Sequence, residues 1–184
     1  GPLPLLRKGR GRSASDSRDA MTIRPATRAD CPGILAIYNE AVLTTTATYD
    51  YEPRTLAQRE EWFDQHARDG CAVFVAEDDA GRIVGWSALN PYHARPGYRF
   101  TSENSVYIAA DTRGKGLGKL LLAPLVEAAR ARGLHAIIAA IDATNEASLR
   151  LHARFGFVQV GHFKQVGYKF DRWLDVIYME RLLD

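Results

Sequence analysis

The chain has 184 residues, 46% of them hydrophobic and 25% charged, the make-up of one globular domain with a short appendage. No run approaches the roughly 20 apolar residues of a membrane span and the opening residues lack the apolar block of a secretion signal, so a cytoplasmic protein with no membrane partner is expected. Residues 1–20 hold five basic and two acidic side chains of the net +2, leaving 19 basic and 20 acidic residues in the rest, a near-neutral body without the electrostatic footprint of a nucleic-acid binder.

Residues 1–20, GPLPLLRKGRGRSASDSRDA, mix Gly, Pro, Ser and charge without a helical or strand period, and read as a disordered or non-native extension ahead of a domain at 21–184. A first strand follows around Ile23. Apolar residues from Ala29 to Val42 then recur near helical spacing, with Asp30 and Pro32 marking the start. The segment TTTATYDYEP is a loop ending at Pro53, and a second amphipathic helix runs from Thr55 to Arg68, closed by Gly70. The runs Ala72–Ala76 and Ile83–Leu89 flank the turn sequence DDAGR and form a hairpin. After the loop NPYHARPGYRFT a third run, Ser105–Ala110, leads into a glycine-rich turn and a helix from Leu117 to Arg132. Pro124 should kink that helix, because it removes the bond to the Leu120 carbonyl. The strand Ala136–Ile141, a short helix Glu146–Phe155 capped by Asn145 and Gly156, and two final strands complete an α/β layout with mixed pairing.

The most informative string is SVYIAADTRGKGLGKLLLAPLVEAAR. A strand runs into Arg113, Gly114, Lys115, Gly116, Leu117, Gly118 and Lys119, and a helix begins among them. Unpaired N–H groups and the positive helix end therefore converge on one spot, suited to a phosphate or pyrophosphate. A Walker loop would need Gly at Arg113 and Ser or Thr at Leu120, and GxGxxG fails at Lys119 and at Leu121. What remains is RxxGxG, at Arg113, Gly116 and Gly118. Cys31 and Cys71 lack a partner Cys or a His at ligand spacing, which speaks against a disulfide scaffold and a metal site.

About 30 residues downstream, IDATNEASLRLHARFGF joins a strand to the short helix through Asn145. With that second element the chain resembles the Gcn5-related N-acetyltransferase (GNAT) superfamily over residues 21–184. It is closest to the phosphinothricin and methionine sulfoximine acetyltransferase branch, through SENSVYI, RLHARFGF and GYKFDRWLDVIYME. The resemblance implies the acyl-CoA N-acyltransferase fold, a mixed central β-sheet flanked by helices, and acetyl-CoA as acetyl donor. It also implies that the backbone of Val106, Tyr107 and Ile108 binds the pantetheine arm, that Gly114–Lys119 hold the pyrophosphate, and that Asn145 approaches the pantetheine or only caps its helix.

Acetyl transfer to an amine needs a neutral amine, a polarised carbonyl and a route for the leaving thiolate. By resemblance Glu103, standing just before the cofactor strand, is the base. His152 sits where most of the superfamily carries a Tyr acid, and the roles of acid, supporting partner and buried structural residue stay open to it. Tyr98 and Arg99 resemble the branch's substrate-reading pair, an Arg suiting a carboxylate or phosphinate, while Tyr49 would form an aromatic wall. Tyr168, Lys169, Trp173 and Asp175 read as core or dimer surface. The expected function is acetylation of a small-molecule primary amine, an amino acid or analogue, by direct attack in a ternary complex, and relatives imply a homodimer. The alternatives are a protein N-terminal or lysine acetyltransferase and a non-catalytic CoA-binding module.

Overall fold

The computed structural model describes residues 21–184; the extension expected at 1–20 lies outside the described residues. Seven strands form one sheet in the order β1-β2-β3-β4-β5-β7-β6. β1 (Thr22–Pro25), β2 (Val73–Glu77), β3 (Ile83–Pro91) and β4 (Thr101–Ile108) pair antiparallel in sequence, and β5 (Ala136–Asp142), β7 (Arg172–Leu182) and β6 (Val158–Lys169) form a second antiparallel set. Among the described strands only β4 and β5 are parallel, as expected of strands joined by a helical crossover.

α1 (Cys31–Thr44) and α2 (Leu56–Arg68) cover one side of the sheet. Ile34 and Ile37 of α1 pack with Val73, Val75, Trp86 and Ala88. α2 starts where Thr55 and Gln58 cap one another's backbone N–H groups, the reciprocal arrangement that satisfies two orphan donors. α3 (Leu117–Ala131) lies against the sheet through Leu121, Leu122, Leu125 and Ala129. β3 is buried without interruption from Val84 to Leu89, the signature of a strand covered on both faces.

α3 runs as one continuous helix from Leu117 to Ala131 with Pro124 inside it. Leu120, whose carbonyl loses its partner, is 46% exposed, so water can satisfy that oxygen. The next carbonyl, Leu121, accepts a hydrogen bond from the buried Ser87 hydroxyl at 2.9 Å. β4 differs from its sequence reading. It begins at Thr101 rather than Ser105, because Thr101–Glu103 are paired with β3 or β5 on the two sides, so Glu103 lies within the strand rather than ahead of it.

Candidate active site

β4 ends at Ile108, and a 3-10 turn at Ala110–Thr112 carries the chain into the start of α3. Gly114 and Gly116 hold φ of 77° and 82°, a region that L-residues enter at a cost of about 1–2 kcal/mol each. Gly116 is the N-cap of α3; among the described residues no side chain caps the helix, and no acidic residue occupies its first turn. The leading amide N–H groups and the positive end of the helix are therefore open to a ligand. Gly118 serves a different purpose. A Cβ there would stand 2.8 Å from Leu151 Cδ2, so this glycine lets α4 (Glu146–Arg154) close against α3.

A cavity of about 620 Å³ opens at this end, walled by Val106–Ile108, Arg113, Gly114 and Gly116–Lys119 on one side and by Asn145, Arg150 and Arg154 on the other. Arg113 folds back, its Nε donating to the Ile108 carbonyl at 3.2 Å and its Nη2 3.7 Å from Glu40. The side chain of Asn145 caps α4, its Oδ1 accepting from the Ser148 amide at 3.2 Å. The two halves of its expected role do not exclude each other, since the same residue also walls this cavity and its neighbour.

Beyond this cavity the two central strands part. β4 and β5 are paired only at Thr101–Glu103 with Ala136–Ile138, which leaves the β5-facing main-chain groups beyond Glu103 without a ladder partner. A cleft of about 330 Å³ occupies the gap, lined by Glu103–Tyr107 of β4, Ala139–Asp142 of β5, Val176 and Tyr178 of β7, and Thr46–Tyr49. The last segment is tied down over the gap. The Tyr49 hydroxyl donates to Asp142 at 2.7 Å, Tyr107 donates to the Ala47 carbonyl at 3.2 Å, and Lys169 Nζ donates to the carbonyls of Thr45 and Thr48 at 2.8 Å each. The unpaired strand edge, the uncapped helix and the cationic rim fit an extended amide-bearing arm that ends in a diphosphate, which is the shape of acetyl-CoA.

Glu103 faces the cleft, and its carboxylate has no ion-pair or hydrogen-bond partner among the described residues. Burial pushes its pKa above the ordinary glutamate range, with His93 pulling the other way. Tyr178, across the cleft, has its phenol pushed up by burial and then by the charge of Glu103.

His152 is 4% exposed, and both ring nitrogens are engaged. Nδ1 lies 2.8 Å from the Ser148 carbonyl, which can only accept, so Nδ1 carries the proton. In the neutral ring Nε2 then accepts from the Asn104 side-chain amide at 2.9 Å. Burial lowers the pKa of the imidazole, in keeping with that neutral form. Asn104 Oδ1 is buried without a partner.

The structure thus gathers Glu103, Val106, Tyr107, Asn145, His152 and Tyr49 around one cleft, and Ile108, Arg113, Gly114 and Gly116–Lys119 around the adjoining cavity. Lys115 stays on the exposed loop outside both walls. Tyr98 and Arg99 are not brought in either. Tyr98 packs against Tyr92 and His93, and Arg99 donates to the Pro96 carbonyl at 3.2 Å with its guanidinium 4.3 Å from the Phe100 ring centre. Asn104, Asp142, Ser148 and Tyr178 were not singled out from the sequence. Tyr178 lay in a terminal string read as structural, and only its position on β7, paired with Ala140, turns it toward Glu103.

Comparison with known proteins agrees with this geometry. Residues 23–178 match the family model described as acetyltransferase (GNAT) domain. An L-methionine sulfoximine/L-methionine sulfone acetyltransferase of Pseudomonas aeruginosa is 50% identical over 163 residues, 89% of this chain and 95% of that protein. The solved structure of a phosphinothricin acetyltransferase from Sinorhizobium meliloti in complex with acetyl-CoA superposes with a TM-score of 0.87 at 37% identity, covering 89% of each chain. A ribosomal-protein-alanine N-acetyltransferase from Brucella melitensis has a TM-score of 0.85 at 46% identity, covering 88% of this chain and 99% of that one.

Proposed function

The chain belongs to the GNAT acetyltransferase family and is an acetyl-CoA-dependent N-acetyltransferase, and on that footing we propose that its acceptor is the primary amine of a small amino acid or close analogue such as methionine sulfoximine or phosphinothricin. The observation that carries this reading is the roofed cleft between β4 and β5. At about 330 Å³ it is near the small end of ligand pockets, and the pinned segment Thr46–Tyr49 narrows it toward the size of a small acceptor rather than a polypeptide. A relative at 50% identity named for two amino acid analogues supports the same class.

In this reading the amides at the start of α3, with Arg113 and Lys119 of the cavity wall, bind the diphosphate. The free edge of β4 at Val106–Ile108 aligns the pantetheine arm, with the Asn145 amide beside it. Bound there, acetyl-CoA supplies an activated thioester carbonyl at the cleft. Glu103 accepts the proton from the acceptor's ammonium, directly or through one water; burial makes it a stronger base than an exposed carboxylate. The neutral amine would then attack the thioester carbonyl, and as the carbon–nitrogen bond forms and the carbon–sulfur bond breaks, the second amine proton would pass to the departing thiolate, which leaves as the thiol. With both nitrogens engaged, His152 acts as a positioning residue that orients Asn104 at the chamber wall. Tyr49 walls the chamber, and Tyr98 and Arg99 act at its approach.

The protein is further proposed to act in the cytoplasm as a homodimer. Support for the dimer comes from exposed Val158, Val160, Phe163 and Val166 on the edge strand β6 and Trp173 on β7. Light scattering should give about twice 20.4 kDa for this chain; a monomeric mass across micromolar concentrations removes the dimer. A panel of amines read by thiol release tests the acceptor class. α-Amino acids with a second polar group should be turned over best. Acetylation of peptide N-termini or lysines alone would favour the protein-directed reading, and acetyl-CoA binding without any turnover would favour a non-catalytic module.

A further inference from the structure

A third cavity, of about 440 Å³, lies beneath α2 and shares only Ser105 and Tyr107 with the cleft. Its wall holds Arg59, which is 5% exposed. The guanidinium carbon sits 4.5 Å from the ring centre of Trp62, 4.6 Å from that of Tyr38 and 5.4 Å from that of Trp86. The Arg59 side chain makes no salt bridge and no hydrogen bond with any described residue, and its Nε is buried without a partner. Trp86 Nε1, on the same wall and 2% exposed, is a second buried donor without an acceptor. The groups that act most strongly on the Arg59 charge are Tyr38, Tyr107, Cys31 and Arg54; the nearby Asp50 carboxylate is engaged by Tyr38 and Arg54. The charge of Arg54 is answered by Asp50 at 3.0 Å.

Aromatic faces attract a desolvated cation, but they accept none of the hydrogen bonds that a guanidinium loses on leaving water. A buried charge without a counterion is among the most costly features a fold can hold. Both orphaned atoms on this wall are donors, so the missing group is an acceptor, and the uncompensated charge makes it an anion. The planar fork of Arg selects a planar, compact partner.

We infer that the cavity beneath α2 is a binding site for a small carboxylate or comparable oxyanion, held by the Arg59 guanidinium and the Trp86 indole N–H. The anion is either a free small carboxylate or the acid group of the acceptor. Only the second source rests on the function proposed above.

The test is a titration of the full-length protein with sodium formate at constant ionic strength, following the indole N–H resonances of Trp62, Trp86 and Trp173 in proton–nitrogen correlation spectra. Trp86→Phe assigns the Trp86 signal. That signal should move downfield and saturate, and formate affinity should fall at least tenfold in Arg59→Met. No saturable shift in the wild type, or the same affinity in a folded Arg59→Met, overturns the site. Should Arg59→Met fail to fold, Arg59→Lys replaces it: the charge stays, the planar fork is lost, and the same tenfold weakening is expected. A second arm uses methionine sulfone. If the acceptor's acid group is the ligand, methionine sulfone moves the same resonance, and formate raises its KM without altering that of acetyl-CoA; if a free anion is the ligand, neither happens while the formate shift persists. Absence of turnover with methionine sulfone in the wild type would sink the acceptor reading alone and leave the formate titration standing.

Discussion

Gly116→Ala separates the strain of the α3 loop from its task, because α3 carries an internal control. Gly116 at the N-cap has φ 82°, and Gly133, just past the C-terminal end, has φ 78°. A Cβ at either position meets nothing within 4 Å, so neither substitution creates a clash. Each should cost only the left-handed penalty of about 1–2 kcal/mol. For a domain of this size that is about 2–8 °C of melting temperature, the same for both variants within error. Gly116 and Gly133 flank α3 and lie about 25 Å apart at the helical rise. Only the Cβ at Gly116 enters the space above the open amides. Gly116→Ala should therefore raise the KM for acetyl-CoA about tenfold and leave the acceptor's KM within a factor of two, whereas Gly133→Ala should change neither. Steady-state kinetics with each substrate varied, alongside thermal melts, decide it. Equal effects on the acetyl-CoA KM would show that the loop matters only through stability, and no effect in either would remove the α3 end as the diphosphate site.

Replacing Glu103 by Gln should lower kcat/KM by about 10²–10⁴-fold and abolish the acidic limb of its pH profile; an unchanged profile rejects Glu103 as the base. Because burial raises the folded pKa of Glu103, its carboxyl favours folding fully below the ordinary glutamate range. That contribution is lost as pH rises through the raised value, so Glu103→Gln should match the wild type in melting temperature at acid pH and exceed it at pH 8. For His152 the sign is opposite. Its folded pKa is depressed, so its contribution is complete above about pH 6.5 and is lost as pH falls through the lower folded value. His152→Ala should cost about 1–3 kcal/mol in urea unfolding at pH 8 by stranding Asn104, with a smaller difference in acid; a constant difference across pH contradicts the neutral buried ring. Arg99→Ala should raise the acceptor's KM more than that of acetyl-CoA if Arg99 reads an acid group at the approach, and comparable changes in both count against it.

The parts of the site legible in the sequence are those written over a few neighbouring residues. RGKGLG announces a strand, a turn through left-handed glycines and a helix start because each requirement is local, and Asn145 announces the start of α4 for the same reason. Glu103 is singled out only by the family resemblance, and its strand begins four residues earlier than the local pattern indicates. Thr101–Glu103 become strand only because β3 and β5 flank them, which is information held at Asn90 and Ile138 rather than near Glu103.

The sequence alone determined the glycine turn and uncapped start of α3, the α/β order and the family resemblance, because backbone conformation and capping are decided by short-range sterics and hydrogen bonds. Only the tertiary structure decided where β4 and β5 part, which side chains face that gap, and how the loop over it is held. Pairing register joins residues far apart in the chain, such as Ala140 with Tyr178, and burial acts on whatever register brings inside. The neutral ring of His152, the partnerless carbonyl oxygen of Asn104 and the uncompensated charge of Arg59 arise in this way. No spacing of letters encodes a missing partner, since a partner is missing only with respect to everything else the fold has assembled around it.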